Sequence, residues 1–296
     1  MNGLLIVNKQ QGVTSHDIVN EMRRIFKTKQ IGHLGTLDPL AEGVLVICIG
    51  DSTKLVQFLE NVTKEYVCEI TFGIETDTFD ITGKTILREN ISELDLNMVD
   101  AALRSFEGKS LQTPPMFSAI KKNGKKLYEY ARKKIEVEIE PREIEISKIE
   151  RISPIVYDCE NGTAKLSFKT IVSKGTYIRS ICHDLGVKLG VPATMSNLKR
   201  TRNGSFEIDN SYTVDDIKNG NFSLISNLEA LKGNYFIDND EVIKKAVNGM
   251  KISLLMIKNL IGLLPEKIVI CQNNSLIAIY VRDDEIHCYK AARVWK

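Results

Sequence analysis

Six apolar residues in a row, VLVICI at 44–49, follow directly on the segment IGHLGTLDPLAEG, which holds three glycines and one proline. An unbroken apolar run of this length, bounded by turn formers and rich in β-branched residues, reads as a strand buried on both faces. Such a strand requires packed structure on each side of it, and a loop pinned to its start is a place where reactive residues can be held still. A length of 296 residues, 43% hydrophobic and 26% charged, is enough for one large or two modest globular domains. A disulfide-stapled miniprotein and a disordered chain are both excluded.

Forty basic against 38 acidic side chains leave a net charge of +2, too little for the overall field to point to nucleic acid. The charge is instead segregated. Between 121 and 134 there are seven basic residues and one acidic, interleaved with Tyr128 and Tyr130, the mixture that contacts phosphates and bases of RNA. A solvated basic face is the competing reading. A second cluster, Lys199, Arg200 and Arg202, follows later, while 75–100 carries seven acids against two bases. The six cysteines contain no C-x-x-C pair, which favours reduced, mostly buried thiols over zinc or redox motifs. The four-residue apolar run near the N-terminus lacks a basic flank and is no signal peptide. Other apolar stretches fall short of the ~18 residues of a membrane span, so a soluble, cytoplasmic protein is expected.

Apolar positions at Ile18, Val19, Met22, Ile25 and Phe26 predict an amphipathic helix over 16–26 with Ser15 as its cap. Residues 67–72 read as a strand and 73–83 as a loop; Ser92 with Asp95 resembles a capping box opening a helix. Alternation over 165–172 predicts a half-exposed strand, followed by a helix through Ile178, Ile181, Cys182, Leu185 and Leu189. Polar, Asn-rich sequence places a boundary near Gly233, with short strands at 267–271, 275–281 and 285–289 beyond it.

Asp38 is the main candidate for chemistry, because Pro39 restrains its backbone and so aims its carboxylate. A plain Asp-Pro turn is the alternative. Arg179 is unusual at a helix N-terminus, where the dipole disfavours a cation, and a carboxylate or phosphate partner would explain it. A solvated surface arginine remains the alternative. Cys182-His183 is not a nucleophile pair, since Cys182 belongs to the apolar stripe. No nucleotide-cofactor motif is present.

The segment GHLGTLDPLAEGVLVICIG resembles the signature loop of the tRNA pseudouridine-55 synthases of TruB type. VNKQQGVTSHDIV, KEY at 64–66, TPPMFSAIKKNGKKLYEYAR, SKGTYIRSICHDLG and NLKRTRNGSF agree with that family in order, over roughly residues 1–215. The resemblance implies an α+β fold with a mixed, largely antiparallel central sheet, a catalytic domain over 1–232 and a small PUA-like domain over 233–296. It implies isomerisation of one T-loop uridine of tRNA, without cofactor or metal, after the base is flipped from its stack. By the same resemblance Asp38 is the nucleophile, Arg179 pairs with it, and Tyr66 stacks on the target base. Tyr177 and Leu198 line the pocket, His33 enters the T-loop stack, and Lys9 belongs to a supporting motif at the substrate site. Lys121, Lys122, Lys125, Lys126, Arg132, Lys199, Arg200 and Arg202 contact RNA, the first five from a thumb over about 118–145. Gln10 stands where the family usually has proline, and Phe117 where tyrosine is common; neither is expected to touch the chemistry. A monomer acting on the T-arm stem-loop without guide RNA is expected. The rival readings are a non-catalytic tRNA-binding or RNA-chaperone module, a guide-RNA-dependent relative, and an aspartyl hydrolase.

Overall fold

The computed structural model describes residues 1–295. The central sheet is built from β1 (Gly3–Lys9), β2 (Ile31–Leu34), β3 (Ala41–Ile49), β4 (Lys64–Phe72), β5 (Gly108–Gln112), β6 (Arg142–Arg151), β7 (Thr163–Val172) and β8 (Ala193–Asn203). Their order is β1-β3-β8-β4-β7-β6-β5, and every neighbour in it is antiparallel except β3 with β8. One edge of β3 pairs with β1; the other is shared between β8 at Ala41–Gly43 and β2 at Val46–Ile49. This mixed, largely antiparallel α+β architecture is the expected one.

The continuous apolar run is explained by what lies on each side of β3. Leu45, Ile47 and Ile49 join the main core beneath α1 (Ser15–Ile25), while Val44, Val46 and Cys48 join a second cluster with Val269, Leu276 and Ile279. Those three belong to a separate five-stranded sheet over 235–294, whose strands run Tyr235–Ile237, Ile252–Ser253, Lys267–Gln272, Ser275–Asp283 and Cys288–Val294. The last strand had been expected at 285–289; a turn at 284–287 delays it, with His287 at φ 49. The indole of Trp295 also donates to Asp51 O of the first sheet's side, at 3.3 Å.

Two helix caps differ from expectation. Thr14, not Ser15, caps α1, exchanging hydrogen bonds with Asp17, because the Ser15 hydroxyl is turned inward. Asp95 alone caps α2 (Leu96–Arg104), accepting from Asn97 and Met98, so Ser92 lies outside it. The basic segment folds as a two-residue hairpin, Lys121–Lys122 with Lys125–Lys126, around an Asn123-Gly124 turn with both φ positive, and continues into α3 (Leu127–Arg132). Residues 142–145, expected in the thumb, are the first part of β6. The helix after β7, α4 (Ile178–Leu189), buries Ile178, Ile181, Cys182 and Leu185 against the sheet. Among the described residues no helix is long and apolar enough to cross a membrane. Cysteines 48, 68, 182 and 288 are buried, Cys271 half-buried and Cys159 exposed, none of them in a disulfide.

Candidate active site

The loop joining β2 to β3 has a hydrogen-bond donor for every carbonyl from Gly35 to Pro39. Arg200 Nη2 donates to Gly35 O at 3.1 Å and Nη1 to Thr36 O at 3.4 Å. Ser15 Oγ donates to Leu37 O and accepts from Leu37 N, at 3.0 and 2.8 Å. Ala41 N donates to Asp38 O, and Gly12 N and Lys9 Nζ to Pro39 O. Such saturation fixes a short irregular backbone as firmly as a strand ladder does. Gly43 makes it possible for β3 to lie this close to β8: its φ is +101°, and a Cβ there would come within 2.3 Å of Arg200 O.

Out of this loop projects Asp38, whose side chain is 39% exposed. Arg179 Nη2 sits 3.0 Å from Asp38 Oδ2, and Arg179 itself is only 5% exposed. The same guanidinium reaches Asp80 Oδ2 at 3.4 Å through Nη1 and donates to Thr78 O and Phe117 O, at 3.2 and 3.0 Å. A planar guanidinium held on four sides has one orientation, and so the carboxylate it pairs with is aimed as well. Arg179 is thus buried and partnered rather than solvated. Its helix is fixed from outside by Gln112, whose side chain donates to Tyr177 O and accepts from Tyr177 N at 3.0 and 2.7 Å.

Asp80 and Gln112 escaped the sequence reading. The 73–83 segment expected as a loop begins with a short strand, Ile74–Thr76, paired with Thr85–Arg88. Asp80 lies in the loop after it, folded around its own carboxylate, which accepts from Thr82 N, Thr82 Oγ1 and Thr78 Oγ1. That loop is anchored to β8 by Ile81 N to Met195 O and Met195 N to Phe79 O, and Phe79 stacks on His183 with ring centroids 4.0 Å apart. The only available signal was compositional: an Asp and Thr cluster beside a glycine, which specifies a turn and not a partner.

The other expected residues are placed as follows. Tyr66 and Leu198 are 7% and 6% exposed on the adjacent strands β4 and β8, on the same face, with Arg200 registered opposite Tyr66. Tyr177 stands at the N-cap position of α4, and burial together with the nearby Asp38 raises its phenol above the ordinary value. His33 is half-buried on β2, and burial lowers its imidazole.

Lys9 requires correction. It is fully buried, its Nζ donates to Val13 O, Gln10 O and Pro39 O at 2.8, 3.0 and 3.4 Å, and it has no path to a substrate. Arg200 also requires correction, for it is 1% exposed and its guanidinium is spent on Val44 O, Gly35 O and Thr36 O. Its neighbours Lys199 and Arg202 pair with Glu42 at 3.7 Å and Glu65 at 3.9 Å. The second basic cluster is therefore no open surface patch, since strand alternation sends one cation inward and neighbouring strands supply acids to the rest. Gln10 and Phe117 meet the site through main-chain carbonyls, which accept from Lys9 and Arg179, and their side chains take no part in those hydrogen bonds.

Comparison with known proteins identifies the family. A family model described as TruB family pseudouridylate synthase, N-terminal domain, matches residues 23–178, more than half of the chain. The chain belongs to the TruB family. A second model, tRNA pseudouridylate synthase B C-terminal domain, matches residues 179–232. The tRNA pseudouridine synthase B of Bacillus pumilus is 48% identical over 219 residues, 74% of this chain and 70% of that protein. The Clostridium tetani protein of the same name is 44% identical over 255 residues, 85% of this chain and 86% of its own. Among solved structures, an H/ACA RNP bound to a substrate RNA containing 2'-deoxyuridine aligns with a TM-score of 0.69 at 21% identity, covering 99% of this chain and 85% of that one. A Cbf5-Nop10-Gar1 complex aligns at 0.68 and 22%, covering 99% and 84%. At that identity they show the fold, second sheet included. This TruB-family chain is a pseudouridine synthase, an isomerase.

Proposed function

We propose that the protein converts uridine 55 in the T-loop of tRNA to pseudouridine, with Asp38 as the nucleophile and the target base flipped out of its stack. The observation that carries this reading is the Arg179–Asp38 pair at 3.0 Å: a buried guanidinium clamped on four sides, aiming a carboxylate that is itself open to a ligand. Membership of the family and the names of its relatives, tRNA pseudouridine synthase B, supply the substrate class.

The isomerisation breaks the bond between uracil N1 and ribose C1′, turns the base, and joins C5 to C1′; C5 loses a proton and N1 gains one, so nothing is oxidised. A carboxylate that forms and releases a covalent adduct is suited to this, because the enzyme is regenerated each cycle. The base cannot turn while stacked in its loop, and flipping costs a few kcal/mol that stacking on a ring and phosphate contacts offset. Tyr66 provides the ring, Tyr177 and Leu198 the pocket wall, and His33 fills the gap left in the loop. The hairpin Lys121–Lys122, Lys125–Lys126 and Arg132 of α3 supply phosphate contacts. This segment is rooted at the site: Phe117 O receives Arg179, and Ser118 O receives Tyr128 N at 3.1 Å.

The test is pseudouridine formation on an unmodified T-arm stem-loop, with no added cofactor, mapped at single-base resolution. Conversion of one loop uridine by wild type, and binding without conversion by Asp38→Asn, is the expected result. Binding without conversion by both would replace catalysis with a tRNA-binding role.

A further inference from the structure

Three cations in the floor of the site have only neutral partners. Lys9, Lys64 and Arg200 are 0%, 8% and 1% exposed. Every hydrogen bond their side chains make among the described residues goes to a backbone carbonyl. By contrast Lys165 and Lys169, half-exposed on the neighbouring strand β7, each have a carboxylate of β4, Glu69 and Glu65. Carboxylates reach them only at longer range, Asp38 and Glu42 for Lys9 and Glu60 for Lys64. A buried charge with no carboxylate in contact is costly, and the cost is relieved when an anion arrives.

The excess has a centre. The ends of Lys64 and Arg200 converge on Gly35: an atom at its Cβ position would be 3.7 Å from Lys64 Cε and 3.7 Å from Arg200 Nη1. Lys64 uses one of its three ammonium protons, on Val62 O at 3.0 Å. Lys174, half-exposed and paired with Glu60 at 2.7 Å, stands at the rim. Burial, with Arg200 and Lys174 beside it, brings the Lys64 ammonium down to about 8, against a smaller opposing pull from Glu60. Lys64 lies two residues before Tyr66 on the same face of β4, a separation of roughly 7 Å along a strand. That spacing is comparable to the reach from a base to its own phosphate.

We propose that Lys64, backed by the buried Arg200 and rimmed by Lys174, binds a backbone phosphate of the RNA beside the uridine that is converted. The inference rests on the RNA reading given above. Lys64 is the contact, Arg200 contributes its charge from behind while holding the Asp38 loop, and Lys174 leaves Glu60 to complete the site. Neutralising the phosphate at this point draws the target nucleotide toward Asp38, whereas the hairpin at 121–126 holds the RNA more generally.

The test uses T-arm stem-loops in which each loop linkage in turn is a neutral methylphosphonate. For wild type, one linkage beside the converted uridine should cost on the order of tenfold in affinity. Lys64→Met should bind the natural stem-loop weaker by a similar factor, reduce the slope of log affinity against log salt by about one, and no longer sense that linkage. Lys64→Arg should restore the sensitivity. If Lys64→Met keeps both the salt slope and the linkage effect, the phosphate site is overturned. Should Lys64→Met not fold, as judged by circular dichroism, Lys174→Gln decides: a smaller loss confined to the same linkage supports the site, and none overturns it. Conversion of the stem-loop with no Lys64-dependent linkage removes this inference alone. Failure of wild type to bind or convert the natural stem-loop removes the RNA reading, and this inference with it.

Discussion

The loop at 35–40 and the basic segment at 121–134 both lie outside the central sheet, and both are tied to Arg179, the first through Asp38 and the second through the carbonyl of Phe117 just before it. Their internal physics is opposite. In the loop, donors from α1, β1, β8 and the chain itself cover each carbonyl from Gly35 to Pro39, and the cations that hold it, Lys9 and Arg200, are buried. In the basic segment Lys121, Lys125 and Arg132 are exposed, and within it only Leu127 is buried. Arg132 and Lys126 rest over the Tyr128 ring, each 5.3 Å from its centroid, and none of the segment's cations is in an ion pair among the described residues. On the function proposed above, chemistry falls to a backbone held at every carbonyl, and recognition to charges left open to find phosphates. The difference follows from what each must do: a reacting atom misplaced by an ångström loses most of its rate, whereas a phosphate contact tolerates such an error.

Substitutions in the two regions should therefore fail differently. Asp38→Asn should lower turnover by roughly 10⁴-fold or more while leaving stem-loop affinity within about twofold, measured by single-turnover conversion and filter binding. Arg200→Met should come next, costing about 2–4 kcal/mol of stability in urea unfolding, because three buried carbonyls lose their donor; a loss below 1 kcal/mol would mean the loop holds itself. Lys121→Gln with Lys125→Gln should leave single-turnover conversion at saturating RNA unchanged and reduce the salt slope of binding by about two. A fall in the saturated rate instead would erase the distinction between the regions.

A pH effect sharpens the same contrast. Lys9 and Lys64 each stand at about 8 against an ordinary 10.5, burial being the main cause for both. Between about 8 and 10.5 the unfolded chain holds protons that the folded chain has released, so rising pH favours the fold in that window, and the full penalty of the buried ammonium applies below it. Denaturant midpoints compared at pH 7.5 and 9.5 should rise less for Lys64→Met than for wild type, and an equal rise in both would show that Lys64 is not the group responsible. Smallest of all, Lys199→Gln should change stability by less than about 0.5 kcal/mol and affinity hardly at all, because Lys199 is a rim cation already engaged with Glu42.

Much of this was legible from local sequence. The burial of 44–49 on both faces, the loop before it and the alternation at 165–172 are properties of consecutive residues, and the structure follows them. What the site owes to distant pairing was not legible. Arg200 looks like one member of a basic triplet until β8 is laid parallel to β3, which turns its side chain under Gly35. Lys9 looks like a substrate ligand until α1 and the loop close over it. Asp80 is one more acid in an acidic stretch until its loop crosses β8 and brings it to Arg179, 99 residues away in sequence. Ser15 is the instructive middle case: a cap signal was read at the right place, but the neighbouring hydroxyl took the cap and freed Ser15 to hold Leu37.

Because β3 is buried on both sides, it is a party wall between two structures that otherwise share little. Leu45 and Ile47 face the core under α1, while Val44 and Val46 face the second sheet through Val269, Leu276 and Ile279. A methyl group removed from Val46 is therefore a disturbance that begins in the rear sheet and is delivered, through a strand three residues past Gly43, to the doorstep of Asp38.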